Sequence, residues 1–244
     1  MFRLFYIAYG FAAYLAFFVV ILYAIGFVGN FAVPKGIDGG AGAPLAEAIL
    51  VNLLLMGLFA VQHSVMARPG FKRAWTRIVP EPIERSTYVL LSSAVLALLF
   101  WQWRPMPGIV WSVEGGWGET LLWVFYAAGW GIVFLSSFMI GHFELFGLKQ
   151  VYAHVKNLAP KKAGFMTPGF YRLVRHPLMT GFLVAFWATP EMTWGHLLFA
   201  LGTTGYILIA LQLEERDLTA HFGDEYRGYK KRVPMLIPGL KGRR

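Results

Sequence analysis

Residues 4–28, LFYIAYGFAAYLAFFVVILYAIGFV, decide the fold class of this 244-residue chain. The run holds no charged side chain. It exceeds the ~20 apolar residues with which a helix crosses a hydrocarbon core of about 30 Å. A cleaved signal peptide would carry an apolar stretch of only about 7–15 residues and a small-residue cleavage site. The run therefore reads as a retained membrane helix, preceded by Met1, Phe2 and Arg3.

Working outward, similar runs follow at about Ala46–Met66, Ser86–Trp103 and Glu119–Ile140. A polar stretch from Gly141 to Arg175 leads to two closely spaced apolar arms, Pro177–Thr189 and Trp194–Leu213, joined by Pro190-Glu191-Met192-Thr193. The tail from Glu214 onward is polar. The expected fold is all-α: a polytopic membrane helix bundle of five to six transmembrane helices with a C-terminal helical hairpin and a cytoplasmic-side cofactor site. It reads as one integral membrane domain. Residues 1–140 form its four-helix part, and 141–244 supply an interfacial helix, the hairpin and a cytoplasmic tail. No internal repeat or low-complexity segment interrupts it.

Composition agrees. The chain is 57% hydrophobic and 14% charged, with a mean hydropathy of +0.54, whereas soluble domains carry roughly 25% charged residues. With no cysteine, disulfide staples, thiolate metal sites, cysteine nucleophiles and dithiol redox chemistry are excluded. The net charge of +9 does not point to nucleic acid, because the cations lie in short loops beside apolar spans, where they set topology and contact lipid headgroups. With the amino terminus inside, segments 1–3, 67–85, 141–176 and 214–244 hold one, five, six and eight Lys/Arg, 20 of the 22. Lys35 and Arg104 alone are outside. This is the positive-inside pattern. It places both termini in the cytoplasm, fits a bacterial inner membrane, and requires the last two arms to double back. The first arm has 13 residues and reaches about 20 Å, short of a full crossing, so Arg175 and His176 are expected in a protein-walled cleft at membrane depth. Between the fourth run and the arms, Leu148, Val151, Val155 and Leu158 follow a 3-4-3 spacing opposite Lys149, Gln150, Lys156 and Asn157. That is an interfacial helix, either a strut among headgroups or the roof of a site.

The densest constellation is Tyr171-Arg172-Leu173-Val174-Arg175-His176-Pro177-Leu178-Met179-Thr180-Gly181, followed by Glu214-Glu215-Arg216. Pro177 suits a first helical position with His176 before it. Free backbone N–H groups at that helix start, with Arg175, would receive a carboxylate or phosphate. If the arms double back, Glu214 and Glu215 emerge beside them. A cationic helix start facing two carboxylates suits a zwitterion with ribose hydroxyls, such as S-adenosyl-L-methionine. The other reading makes Arg172 and Arg175 topology cations paired with Glu214 and Glu215. Tyr171 and Tyr229 line such a site or belong to the interface aromatics.

These motifs resemble a known group. Arg175-His176-Pro177-Leu178-Met179-Thr180-Gly181 is similar to the Arg-His-Pro-x-Tyr-x-Gly signature of the isoprenylcysteine carboxyl methyltransferase-like membrane enzymes. Glu214-Glu215, Phe222-Gly223-Asp224-Glu225-Tyr226-Arg227-Gly228-Tyr229 and Val233-Pro234 match their later motifs in order. Met179 stands where the signature has tyrosine. Gln62-His63-Ser64-Val65-Met66-Ala67-Arg68-Pro69, His142-Phe143-Glu144-Leu145-Phe146-Gly147-Leu148 and Gln212-Leu213-Glu214-Glu215-Arg216-Asp217-Leu218 resemble the methanethiol S-methyltransferase branch. A related membrane family linked to denitrification shares the plan. The resemblance implies S-adenosyl-L-methionine as donor and a small thiol as acceptor, giving dimethyl sulfide. The implied cofactor residues are Gln150, Tyr171, Arg175, His176, Pro177, Leu178, Gly181, Glu214, Glu215 and Tyr229.

A thiol acceptor must lose a proton, so a general base is expected. The candidates are His63, His142 and His176, while His154, His196 and His221 read as structural. No metal site is expected. Partners are the small thiol and membrane lipids, with no obligatory protein partner evident. Two other classes stay open: methylation of another lipophilic thiol or carboxylate, and a haem-binding electron-transfer subunit with His63 and His142 as axial ligands. Without repeats or charges within the spans, a transporter is disfavoured.

Overall fold

The computed structural model describes residues 2–158 and 164–240. Lys161, Lys162, Lys241, Arg243 and Arg244, five of the cations counted above, lie outside the described residues. In chain order the elements are α1 (Phe2–Gly29), α2 (Leu45–Ala67), α3 (Pro69–Trp75), α4 (Glu81–Gln102), β1 (Ile109–Ser112), α5 (Gly116–Met139), α6 (His142–Leu145), α7 (Leu148–Val155), a 3-10 turn (Gly169–Arg172), α8 (Pro177–Trp187), β2 (Glu191–Thr193), α9 (Trp194–Phe222) and α10 (Asp224–Arg232). Among the described residues, α1, α2, α4, α5 and α9 are long and apolar enough to cross a membrane. The protein is an all-α integral membrane protein. Its apolar α8 has only 11 residues, about 16 Å of helix.

Helix ends differ from the apolar runs for local reasons. Helix α4 starts at Glu81 rather than Ser86, because Pro82 suits the first turn and Glu81 and Glu84 favour the positive end of the helix dipole. Helix α9 continues past Leu213, since no glycine or proline stops it before Gly223, whose φ of 58° ends the helix in the left-handed region. Glu214 and Glu215 therefore sit inside a helix rather than after one. Helix α10 places Asp224 and Glu225 in its first turn and Lys230, Lys231 and Arg232 in its last, as the dipole favours. The short β1–β2 ribbon was not legible from composition.

The chain divides into two compact units. The first comprises residues 1–108, 142–161 and 193–196. Here α4 is the shared element. Tyr9 Oη lies 2.9 Å from Thr87 Oγ1, and Phe27 packs on Phe100 with ring centroids 4.6 Å apart. On its other side, Asn52, fully buried, donates to the Arg104 carbonyl and accepts from the Arg104 N–H, each at 2.8 Å. Lys35 Nζ donates to the Trp101 and Trp103 carbonyls at 2.6 and 2.8 Å, a cation on the negative end of α4. Of the interfacial stripe, Val151 is buried beneath Gly10 of α1, whereas Leu158 lies past the helix end and is exposed. Helix α7 is thus a packed part of this unit.

The second unit comprises residues 109–141, 162–192 and 197–244. Although the sequence groups α5 with the preceding spans, it lies in this unit against α8. The contact is backbone on backbone: a Cβ at Gly181 would meet the Gly129 carbonyl at 2.7 Å and the Val133 nitrogen at 2.9 Å. A Cβ at Gly129 would meet the Ala185 nitrogen at 2.6 Å. Small residues at such crossings let membrane helices gain van der Waals contact. Gly181→Ala or Gly129→Ala should therefore cost about 1–3 kcal/mol through overpacking. Gly131→Ala on α5, where nothing lies within 4 Å, should be neutral or stabilising. Thermal unfolding in detergent reads the contrast.

Candidate cofactor-binding site

The start of α8 is the centre of the second unit's polar chemistry. Pro177, fully buried, opens the helix where its missing N–H costs nothing. The two residues before it are held by the returning tail: the Arg175 N–H donates to the Pro234 carbonyl at 2.9 Å and the His176 N–H to the Met235 carbonyl at 3.1 Å. Thr180 Oγ1 donates to the Leu236 carbonyl at 2.8 Å. Leu236 is buried against Ile207 and Leu211 of α9, with Met179, Phe182 and Leu183 of α8 beside it. The tail is thus a strap across both arms of the hairpin.

Glu215 is the node. Its side chain is only 8% exposed. It receives Arg175 Nε at 2.6 Å and Lys230 Nζ at 3.0 Å, and lies 3.1 Å from His176 Nε2. Arg175 also donates from Nη1 to the Val233 carbonyl at 2.6 Å and the Lys230 carbonyl at 3.3 Å, completing the C-terminal end of α10. So the guanidinium expected to receive a ligand anion already has protein partners. Glu214, one helix position on, is different. Its side chain is 49% exposed and its carboxylate is 3.8 Å from His176 Nδ1. Consecutive residues on a helix point about 100° apart, so one glutamate faces the node and the other its edge. Arg172 takes no part in the node; its Nε donates to the Thr167 carbonyl.

An aromatic wall stands beside this node. Tyr226 and Tyr229, three apart on one face of α10, pack with Phe165 at ring-centroid distances of 5.8 and 5.2 Å. Tyr229 Oη donates to the Tyr171 carbonyl, and Tyr171 Oη donates to the Ser136 carbonyl at 3.5 Å. Burial pushes the Tyr229 phenol up to about 12 against the opposing pull of Arg175. Burial, with the charges of nearby glutamates, also raises Tyr171 and Tyr226 above the ordinary phenol range. All three remain protonated at neutral pH, Tyr171 and Tyr229 with their protons given to carbonyls. Two buried polar atoms here have no hydrogen-bond partner, Tyr226 Oη and Ser136 Oγ, an arrangement that asks for a ligand.

Of the expected site residues, Tyr171, Arg175, His176, Pro177, Leu178, Gly181, Glu214, Glu215 and Tyr229 lie in this unit. Gly181 serves the α5 contact, and the others surround the helix start. His63, His142 and Gln150 belong to the first unit. There Tyr14 Oη lies 2.9 Å from His142 Nε2, and burial pulls His142 below the ordinary histidine value. Gln150 Nε2 donates to the Glu144 carbonyl at 3.0 Å. Sequence reasoning missed Lys230, Tyr226 and Ser136. Tyr226 was visible inside the Phe222–Tyr229 motif, and the i, i+3 pairing with Tyr229 was its signal.

The NnrU protein family model matches residues 50–214. The methanethiol S-methyltransferase of Mycobacterium tuberculosis is 59% identical over 95% of both chains. Methanethiol S-methyltransferase 2 of Bradyrhizobium diazoefficiens is 58% identical over 99% of this chain and 93% of its own. Nurim of Mus musculus is 33% identical over 68% of this chain and 66% of its own. No solved structure matches.

The node sets a stability contrast. Glu215→Ala leaves Arg175 and Lys230 without their carboxylate and should cost about 3–5 kcal/mol. Glu214→Ala, at the exposed edge, should stay within about 0.5 kcal/mol. Chemical denaturation in detergent micelles compares the two.

Proposed function

We infer the function from kinship joined to geometry: the chain belongs to the NnrU family, and within it to the methanethiol S-methyltransferase branch of the isoprenylcysteine carboxyl methyltransferase-like membrane enzymes. It is a thiol S-methyltransferase that converts methanethiol to dimethyl sulfide. The observation that carries this is 59% identity across 95% of both chains to a protein of that name.

The methyl donor is S-adenosyl-L-methionine, bound at the edge of the Glu215 node. Two observations fit it. Glu214 offers a half-exposed carboxylate for an ammonium or a ribose diol, and Tyr226 and Ser136 offer buried hydroxyls without partners. Bound there, the donor supplies an electrophilic methyl group on a sulfonium. Lys230, 39% exposed at its side chain, and the positive end of α8 favour the donor's carboxylate. The rings of Tyr171 and Tyr229 favour its cation. Arg175 and His176 act by fixing Glu215, and hence the register of α9, so that Glu214 stands ready. Holding reactants in line is worth about 7–11 kcal/mol in well-oriented reactions. The haem reading lacks support, since tyrosines sit within hydrogen-bond reach of the His63 and His142 ring nitrogens that axial ligation would need. The charge asymmetry supports an orientation with both termini cytoplasmic, in keeping with a bacterial inner membrane. The polar donor then arrives from the cytoplasm, and the apolar thiol through the bilayer.

Purified protein given labelled donor and methanethiol should release labelled dimethyl sulfide into the headspace. No product above a protein-free control would end this reading. Glu214→Gln should weaken donor binding about tenfold, and Tyr226→Phe about three- to fivefold, as loss of one charged and one neutral hydrogen bond predicts. Equilibrium binding of tritiated donor measures both.

A further inference from the structure

Tyr226, Tyr229 and Lys230, all offered to the donor in the reading above, come from one short element near the end of the chain. Helix α10 has nine residues, fewer than the roughly 12–15 with which a helix stands alone in water. Gly228 lies inside it and lowers its intrinsic helicity further. Six of its nine residues are charged, and only Tyr226 and Tyr229 are buried. An element of that kind is held by its neighbours and opens before the body on which it rests. Its attachments are few. The two tyrosines pack on Phe165, and Tyr229 Oη donates to the Tyr171 carbonyl. Lys230 Nζ lies 3.0 Å from Glu215 Oε2, and Arg175 Nη1 donates to the Val233 carbonyl at 2.6 Å. Beyond α10 the strap hangs on hydrogen bonds from the Arg175 N–H, the His176 N–H and Thr180 Oγ1, and on the buried Leu236. Past Leu236, Ile237 to Leu240 are exposed. At the other end, Gly223 joins α10 to α9 with a φ of 58°. Nothing lies within 4 Å of a Cβ built on it, so the backbone turns there at little steric cost.

We propose that α10 and the strap form a lid, hinged at Gly223, which opens for the donor to pass and which the bound donor locks shut. This rests on the donor reading above. Tyr226, Tyr229 and Lys230 reach the donor only while α10 is docked, so the donor binds the closed form alone. Linkage then makes bound donor stabilise the closed lid by mass action. Thr180 reports on the lid without touching the donor, because its hydroxyl holds the Leu236 carbonyl at 2.8 Å. The lid also carries its own reporter. Arg227, Lys230, Lys231 and Arg232 are exposed and are trypsin sites. A helix must leave its seat and unwind before a protease can cut it, so their cleavage counts open lids.

The test treats the full-length protein in detergent micelles with trypsin, with and without S-adenosyl-L-methionine. Mass spectrometry follows release of the tail peptides, and tritiated donor measures occupancy. With donor at about ten times its Kd, cleavage from Arg227 to Arg232 should slow about tenfold, as the donor-free population falls. Without donor, cleavage after Arg216, exposed on α9 of the same unit, should be about tenfold slower than in the tail. That difference separates a lid from unfolding of the whole unit. Thr180→Val should speed tail cleavage about fivefold, as loss of one hydrogen bond predicts, and Thr180→Ser should restore the original rate. Gly228→Ala, with nothing within 4 Å of the added Cβ, should slow it about fivefold through helix propensity. Tail cleavage at one rate with and without saturating donor overturns the proposal, and so does cleavage after Arg216 as fast as in the tail. Both of these use the unaltered protein and stand even where a variant fails to fold. Unaltered protein that takes up no tritiated donor overturns the donor reading, and the lid with it.

Discussion

A carboxylate held at the edge of a membrane can stay ionised only if cations and donors reach it from several directions, because desolvating it alone costs several kcal/mol. Glu215 imposes that requirement on the second unit. Arg175 comes from the segment before α8, His176 from its cap, and Lys230 from α10. Meeting around one side chain, they fix the hairpin, the terminal helix and the tail together. The exposed edge follows from this frame. With Glu215 saturated, its neighbour Glu214 is left half-exposed, and the tyrosines of α10 and Tyr171 stand protonated beside it. The 100° turn of a helix leaves one of two adjacent glutamates saturated and the other half-exposed.

The first unit applies the same economy of polar groups inside apolar spans. Asn52 closes a loop by meeting both backbone hydrogen-bonding groups of one residue, and Lys35 finishes a helix end. These are satisfied devices.

Much of this was legible in the sequence. Each long apolar run became a helix within a few residues at most ends, and the doubling back that the cation count required brought Arg175 and His176 to Glu215 as expected. The disagreements have plain causes. Hydropathy marks where a helix stops being apolar, not where it stops, so α9 ran on to Gly223. Spacing showed Arg175 at a helix start but not that Val233, 58 residues later, would accept its guanidinium. The sequence therefore suggested a guanidinium open to a ligand where the structure has a crosslink. Gly181 carried weight as part of a signature, yet only the distance to Gly129 explains it. Ser136 gave no signal and Tyr226 only its spacing from Tyr229, because a missing hydrogen-bond partner is a property of three-dimensional neighbours.

The strap from Pro234 to Leu236 has a consequence for biogenesis. The ribosome delivers the basic pair Arg175–His176 first, the acid 40 residues later, and the strap last. During that interval the emerging hairpin carries a cation whose carboxylate has not yet been made, which opposes its sliding into lipid. The Glu215 node therefore assembles only after α9 and α10 have both been made.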